Sequence, residues 1–208
     1  MHVEFLLEEP SAEAFLAGFL PRALPQGDTW SLHSFQGKAD LLKNLGSRLR
    51  GYRRWIPRDW RIVVLVDEDR QDCHELKTAL EEKAQEAGFV TRTGARSSGA
   101  AFTVLNRIAI EELEAWFLGD AASLAAAYPG VSATYAVRAK FRDPDSIAGG
   151  TWEALEKLLQ GAGHFAGGLS KIEVARELGM RVDPKRNTSQ SFRVFVDGLA
   201  ALRQVTAS

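Results

Sequence analysis

Residues 61–66 (RIVVLV) run apolar after one arginine and then stop in Asp67, Glu68 and Asp69, with Asp72 close behind. A strand without polar alternation has both faces covered, the habit of a parallel sheet held between helices. No other feature constrains the chain as much, because such a strand needs helices on each side and crossover connections to its neighbours.

The surrounding sequence supplies them. Val3, Phe5 and Leu7 alternate as a short strand. Pro10 and Ser11 open a helix with Ser11 as its N-cap and Phe15, Leu16, Phe19 and Leu20 as its apolar stripe. Residues 29–35 (TWSLHSF) predict a strand. Residues 38–53 predict a helix with Leu41, Leu42, Leu45 and Leu49 on one side, closed by Pro57. A further helix is expected over 72–87, with Leu76, Leu80 and Ala84 inward and Gly88 as the stop. Val90 and Thr103 to Leu105 belong to one or two more strands, and 108–118 reads as helical.

Strand and helix thus alternate, which predicts an α/β fold: a parallel sheet flanked by helices, joined by right-handed crossovers. Residues 1–120 form this core. Residues 121–208 are expected to be a helical extension packed on it: a short alanine-rich helix, a polar turn-rich stretch over 135–150, and a helix capped by Thr151. The glycine loop GAGHFAGG then leads into a helix over 170–178, and a last helix starts at Ser189 or Ser191.

A chain of 208 residues with 45% apolar and 25% charged residues can bury a real core unaided. The single cysteine, Cys73, excludes an internal disulfide or a zinc cluster and fits a reducing cytosol. No apolar run reaches the roughly 18 residues of a membrane span, and MHVEFLLEEP is too short and too acidic for a signal peptide. A cytoplasmic protein is expected. The net charge of −1 makes the whole chain no magnet for polyanions, but RLRGYRRWIPRDWR sets Arg48, Arg50, Arg53, Arg54, Arg58 and Arg61 against Asp59 alone.

In open α/β sheets the chemistry lies at the carboxyl ends of the strands. Glu8 and Glu9 end the first predicted strand, and Asp67 and Asp69 follow the third. Two acidic groups therefore reach one sheet edge. Bare carboxylates there repel each other, and either they are solvated loop acids or a divalent cation offsets the repulsion. Hard oxygen ligands suit Mg2+ or Mn2+. A third acid comes from helical geometry: with Ile110 as reference and Leu113, Trp116 and Phe117 on the apolar face, Glu112 points to solvent and Glu114 lies on the buried margin. Glu114 then needs a partner, either an arginine such as Arg107 or Arg138, or the same cation.

These residues carry a resemblance. LLEEPSAEAF followed by VLVDED resembles the Toprim fold, the catalytic core of topoisomerases, DnaG-type primases and nucleases of the overcoming-lysogenization-defect (OLD) class. Together with NRIAIEELEAWFLGD, IAGGTWEALE and RNTSQSF, it resembles a bacterial Toprim-like family of unknown function, often encoded beside an ABC-type ATPase as in anti-phage systems. The Toprim part covers about the first 120 residues. It implies a metal-dependent nuclease acting on DNA or RNA, with Glu8, Asp67, Asp69 and Glu114 catalytic. Glu8, Asp67 and Asp69 would hold Mg2+ or Mn2+. Glu9 stands where Toprim proteins carry glycine, which leaves the first ligand as Glu8 or Glu9. Ala12 stands where OLD nucleases often carry another acid: either Glu13 replaces it, or Glu9 and Glu13 form an i,i+4 pair, or a second metal is held differently.

Partners implied are nucleic acid and an ABC-type ATPase, with a homo-oligomer possible and the oligomeric state left open by the sequence. Lys38 and Lys171 are candidates for holding phosphates, with Arg53, Arg54 and Arg58 for more distant backbone contacts and Tyr52, Trp55 and Trp60 as stacking or packing residues. Cys73, His74 and His164 read as structural or surface residues. The competing function is a non-catalytic Toprim-like docking partner of an ATPase, which the departures at Glu9 and Ala12 favour.

Overall fold

The computed structural model describes residues 1–69, 71–98 and 101–204. The core elements are β1 (His2–Leu7), α1 (Pro10–Ala23), β2 (Thr29–Ser34), α2 (Lys38–Arg53), β3 (Trp60–Asp67), α3 (Cys73–Glu86), α4 (Arg92–Ser98) and β4 (Val104–Ala109). All four strands are parallel, in the order β2-β1-β3-β4. The expected α/β class, a parallel sheet between helices, is the observed one.

The two faces of the sheet follow from strand alternation. Val3, Phe5, Leu7, Val63, Leu65 and Leu105 point into one core with Phe15, Leu16, Phe19 and Leu20 of α1. Leu6, Ile62, Val64, Val66 and Val104 point into the other, with Leu41, Leu45 and Leu49 of α2 and Leu76, Leu80 and Ala84 of α3. Both faces of β3 are covered, so the chain needs no polar residue there.

Helix α1 therefore lies on one face, and α2 and α3 lie on the other. The chain winds outward from β1 to β2, returns across β1 to β3, and winds outward again to β4. The winding direction changes between β1 and β3. Their carboxyl ends diverge there and leave the crevice in which doubly wound sheets hold ligands.

After β4 come α5 (Glu114–Leu118), α6 (Ala121–Ala127), three short 3-10 turns between 133 and 146, α7 (Thr151–Gly161), α8 (Lys171–Gly179) and α9 (Gln190–Gln204). This extension completes the α1 face: Leu155, Leu159, Val174, Leu178, Phe192, Phe195 and Leu202 share one continuous core with β1 and α1. Trp116, fully buried, anchors the junction and donates its indole N–H to Ser191 Oγ at 2.8 Å.

Several local expectations are corrected. Residues 108–118 are not one helix: β4 continues to Ala109, Glu111 turns with φ +61°, and only Glu114–Leu118 is helical. Strand pairing with β3 wins over helical spacing there. Ser11 lies inside α1, and the N-cap position belongs to Glu9. Thr151 is the first residue of α7, after Gly150. Val90 is not in a strand, since only Thr91 forms an isolated bridge to Val104, and α4 follows directly.

Helices α1 and α8 touch backbone to backbone. A Cβ at Gly179 would collide with the Phe15 carbonyl, and one at Gly18 would lie 2.9 Å from Gly179 C and Met180 N. Gly179→Ala should destabilise the fold by about 1–3 kcal/mol through overpacking. Gly161→Ala, with nothing within 4 Å of the new Cβ, should be neutral or gain up to about 1 kcal/mol of helix propensity. Urea denaturation of the two variants checks the contrast.

Candidate active site at the strand ends

The crevice is built from the last residue of β3 and the first residue beyond β1. Register places Leu7 beside Leu65. The pairing continues past the strand, with Glu8 N–H donating to Leu65 C=O at 3.2 Å and Asp67 N–H donating to Glu8 Oε2 at 3.0 Å. The Glu8 carboxylate is thus folded back across the β3 end. Asp67 itself is 7% exposed.

The β3–β4 pair supplies the third acid. Beyond Ala109 the two chains stay laced: Glu68 N–H donates to Ala109 C=O and Asp69 N–H to Glu111 C=O, both at 2.8 Å, while Glu68 Oε2 accepts from Glu111 N–H at 3.0 Å. Asp69 and Glu111 both take left-handed φ, at +53° and +61°. Non-glycine residues adopt that region sparingly. The double turn drops Glu114 to the first position of α5, 1% exposed.

Electrostatics bind these acids into one group. Asp67 is pushed well above the usual carboxylate range, first by burial, then by the charges of Glu114, Glu8 and Glu9. Glu114 is pushed up to about 7, chiefly by burial, with Lys171 opposing and Glu112 and Glu9 adding to the rise. Burial also raises Glu8, against the hydrogen bond from Asp67 and the charge of Lys38, with the charges of Asp69 and Glu9 adding to the rise. Both Glu114 oxygens are buried and accept no hydrogen bond among the described residues. Leaving a buried carboxylate so poorly satisfied costs free energy, and a hard cation is the kind of ligand that would satisfy it.

Two lysines flank the group. Lys171 opens α8 after the glycine loop. Its Nζ lies 3.7 Å from Glu114 Oε1, 3.8 Å from Glu112 Oε1 and 4.9 Å from the centre of the Trp152 ring. Burial alone would lower its pKa, but the charges of Glu114, Glu9, Glu112 and Asp67 outweigh that and raise it. Lys38 opens α2 on the other side and donates to Asp69 Oδ2 at 2.6 Å and to the Glu68 carbonyl at 3.0 Å.

The predicted residues divide accordingly. Glu8, Asp67 and Glu114 converge, with Glu9 within electrostatic reach of all three. Asp69, on its left-handed turn, is half exposed and paired with Lys38, and its charge reaches Glu8 from the rim of the group. Glu13 is turned toward β2, where it accepts from Ser34 Oγ, and does not join the group. Arg53, Arg54 and Arg58 are exposed at the far end of the sheet, near the start of β3.

The partner of Glu114 is neither Arg107 nor Arg138 but Lys171. Glu112 is not free in solvent; it accepts from Thr151 Oγ1 at 3.0 Å and Trp152 N–H at 2.9 Å and so caps α7. Sequence reasoning missed this second capping role. Among the described residues no three of His, Cys, Asp and Glu already stand in chelating geometry, so the acids form a converging group rather than a closed cage.

The chain belongs to the family described as Domain of unknown function (DUF4276), whose profile it matches over residues 7–200. Neither the curated proteins nor the solved structures contain a match. Among the described residues no helix is long and apolar enough to cross a membrane.

The raised Glu114 pKa has a stability consequence. Its ordinary value is 4.5 and its folded value about 7, so between those limits the folded chain holds a proton that the unfolded chain has released. The sign is that stability present at low pH is lost as pH rises through about 7. Glu114→Gln should remove that slope, gaining about 1–3 kcal/mol at pH 8 and little near pH 5. Urea titrations at the two pH values check it.

Proposed function

We propose that the crevice binds a divalent cation, Mg2+ or Mn2+, and hydrolyses phosphodiester bonds of DNA or RNA. The observation that carries the reading is the buried, unsatisfied carboxylate of Glu114 converging with Asp67 and Glu8 at the topological switch point. Asp67, Glu8 and Glu114 would hold the cation, with Glu9 in reach; Asp69 supports the site through Lys38 rather than as a ligand. The resemblance of LLEEPSAEAF and VLVDED to Toprim nucleases supplies the reaction class, and with it the proposed role as an effector in anti-phage defence beside an ABC-type ATPase.

A bound divalent cation would supply Lewis-acid stabilisation of the phosphate and a nucleophilic water at neutral pH. The chain's own residues do the rest. Lys38 and Lys171 stand on opposite sides of the acids and can grip the non-bridging oxygens of a phosphate. Helices α1, α2 and α8 all begin at this edge, so their N-terminal N–H groups favour an arriving anion. Glu8 is held in place by the Asp67 N–H and cannot swing away when substrate enters.

The second reading, a non-catalytic docking partner of an ATPase, is favoured by the Lys38–Asp69 pair, which already neutralises one of the two expected D-x-D ligands. The two readings separate in a thermal shift. Mg2+ or Mn2+ should raise the melting temperature of the parent protein, most strongly above pH 7, and Asp67→Asn should abolish the rise. Cleavage of plasmid, single-stranded DNA or RNA should fall at least about a hundredfold in the same variant, the scale of losing a metal-centred step. A protein that shows no metal-dependent shift and no cleavage with either ion, alone or with its ATPase, is a docking module.

A further inference from the structure

A second cluster of chemistry lies away from the carboxylates, between the β1–β2 surface and the C-terminal half of α2. Its centre is Glu4, a buried glutamate in the middle of β1. Oε2 accepts from Tyr52 O–H at 2.7 Å and from His33 Nε2 at 2.6 Å, and Oε1 lies 3.1 Å from His2 Nε2. Burial alone would raise its pKa, but these three partners outweigh it and hold it below the usual value. Glu4 is therefore an ionised anchor beside His2 that fixes two further rings, those of His33 and Tyr52.

Those rings form the floor of an open pocket of about 390 Å3 lined by Glu4, His33, Arg48, Tyr52 and Trp55. Three of its features look outward. Trp55 is 57% exposed yet braced edge-on against Trp60, ring centres 5.6 Å apart at 81°, and against Tyr52 at 5.4 Å. The Arg48 guanidinium lies over the Tyr52 ring at 5.3 Å. With Nε2 of His33 committed to Glu4, its other ring nitrogen has no partner among the described residues. Arg50 and Arg54, in the same stretch of chain, are exposed, while Arg53 and Arg58 are exposed on a separate hollow with Gly88 and Phe89; among the described residues neither these four nor Arg48 have a carboxylate within 4.0 Å.

An exposed but rigid indole costs solvation without contributing to a core, and five unneutralised arginines repel one another. A ligand that is both flat and anionic relieves both. We propose that this pocket binds an unpaired base of single-stranded nucleic acid, stacked on Trp55, hydrogen-bonded to His33 and Arg48, with its flanking phosphates held by Arg50 and Arg54. Stacking platforms embedded in a basic surface are the general physical solution for single strands. A duplex keeps its bases stacked inside and cannot fill the pocket.

Helix α2 links this pocket to the crevice: Trp55 follows its last turn and Lys38 opens its first, about 24 Å away for 16 residues. A strand lying along α2 would run from the pocket to the carboxylates. Only this last step rests on the proposed cleavage; binding at the pocket stands without it.

The test is fluorescence anisotropy in EDTA, where no cleavage can occur, with labelled single strands and the matching duplex of about 15 nucleotides, in DNA and RNA forms. The single strand of one or both sugars should bind at least fivefold tighter than the duplex, with roughly tenfold loss in Trp55→Ala and little loss in Trp55→Phe. Arg48→Ala should weaken binding and lower the salt dependence by about one charge. Both residues are on the surface, and circular dichroism checks that the variants fold. Equal binding of duplex and single strand, or an unchanged affinity in Trp55→Ala, overturns the proposal and leaves a plain polyanion surface. A protein that binds single strands yet cleaves nothing with Mg2+ or Mn2+ keeps this inference and loses the nuclease reading.

Discussion

One hydrogen bond fixes the geometry on which the rest depends: the Asp67 N–H donating to the Glu8 carboxylate at 3.0 Å. It joins the ends of β1 and β3 where the sheet changes its winding direction. A side chain that would otherwise turn to solvent is held across the crevice beside another acid. From there the consequences are electrostatic. Burial raises Asp67, Glu8 and Glu114, and neighbouring carboxylates add to it, Glu114 and Glu8 on Asp67 and Glu9 on all three, while Lys171 and Lys38 enter from opposite sides to offset part of the charge. Such a group is unfavourable for folding alone, and clustered shifts of this kind are what binding and catalytic sites maintain.

The extension beyond β4 does two jobs in this arrangement. It covers the α1 face, which would leave Phe15 and Phe19 exposed without Trp116, Phe192 and Phe195. It also delivers Lys171 and, through α7, the cap that holds Glu112. The close approach of α1 and α8 at Gly18 and Gly179 sets where Lys171 stands. Packing and site chemistry thus share one constraint.

Much of this was legible in the sequence. The unbroken apolar run of β3 announced a covered parallel strand, and the 3.6-residue spacing of Leu41, Leu45 and Leu49 placed α2. Glu8 and Asp67 were legible because acids directly after predicted parallel strands must share an edge. Asp69 was not resolvable, because the D-x-D spacing does not reveal a left-handed turn at the second acid. Glu114 was singled out through a helix that does not start until Glu114 itself; its burial comes from the turn at Glu111. The Lys171 partnership spans 57 residues of chain, and the Glu4 network draws on three separate elements. Neither leaves a local pattern to read.

The central claim is that Asp67 and Glu114 feel each other's charge in one crevice. A double-mutant cycle of Asp67→Asn and Glu114→Gln, read as unfolding free energy at pH 8 without divalent ions, measures that directly. Each substitution alone should stabilise the chain, and the double variant should gain less than the sum by about 1 kcal/mol, the scale of coupling between neighbouring groups. Additive effects within about 0.3 kcal/mol would mean that the two acids are independent and that no shared site exists.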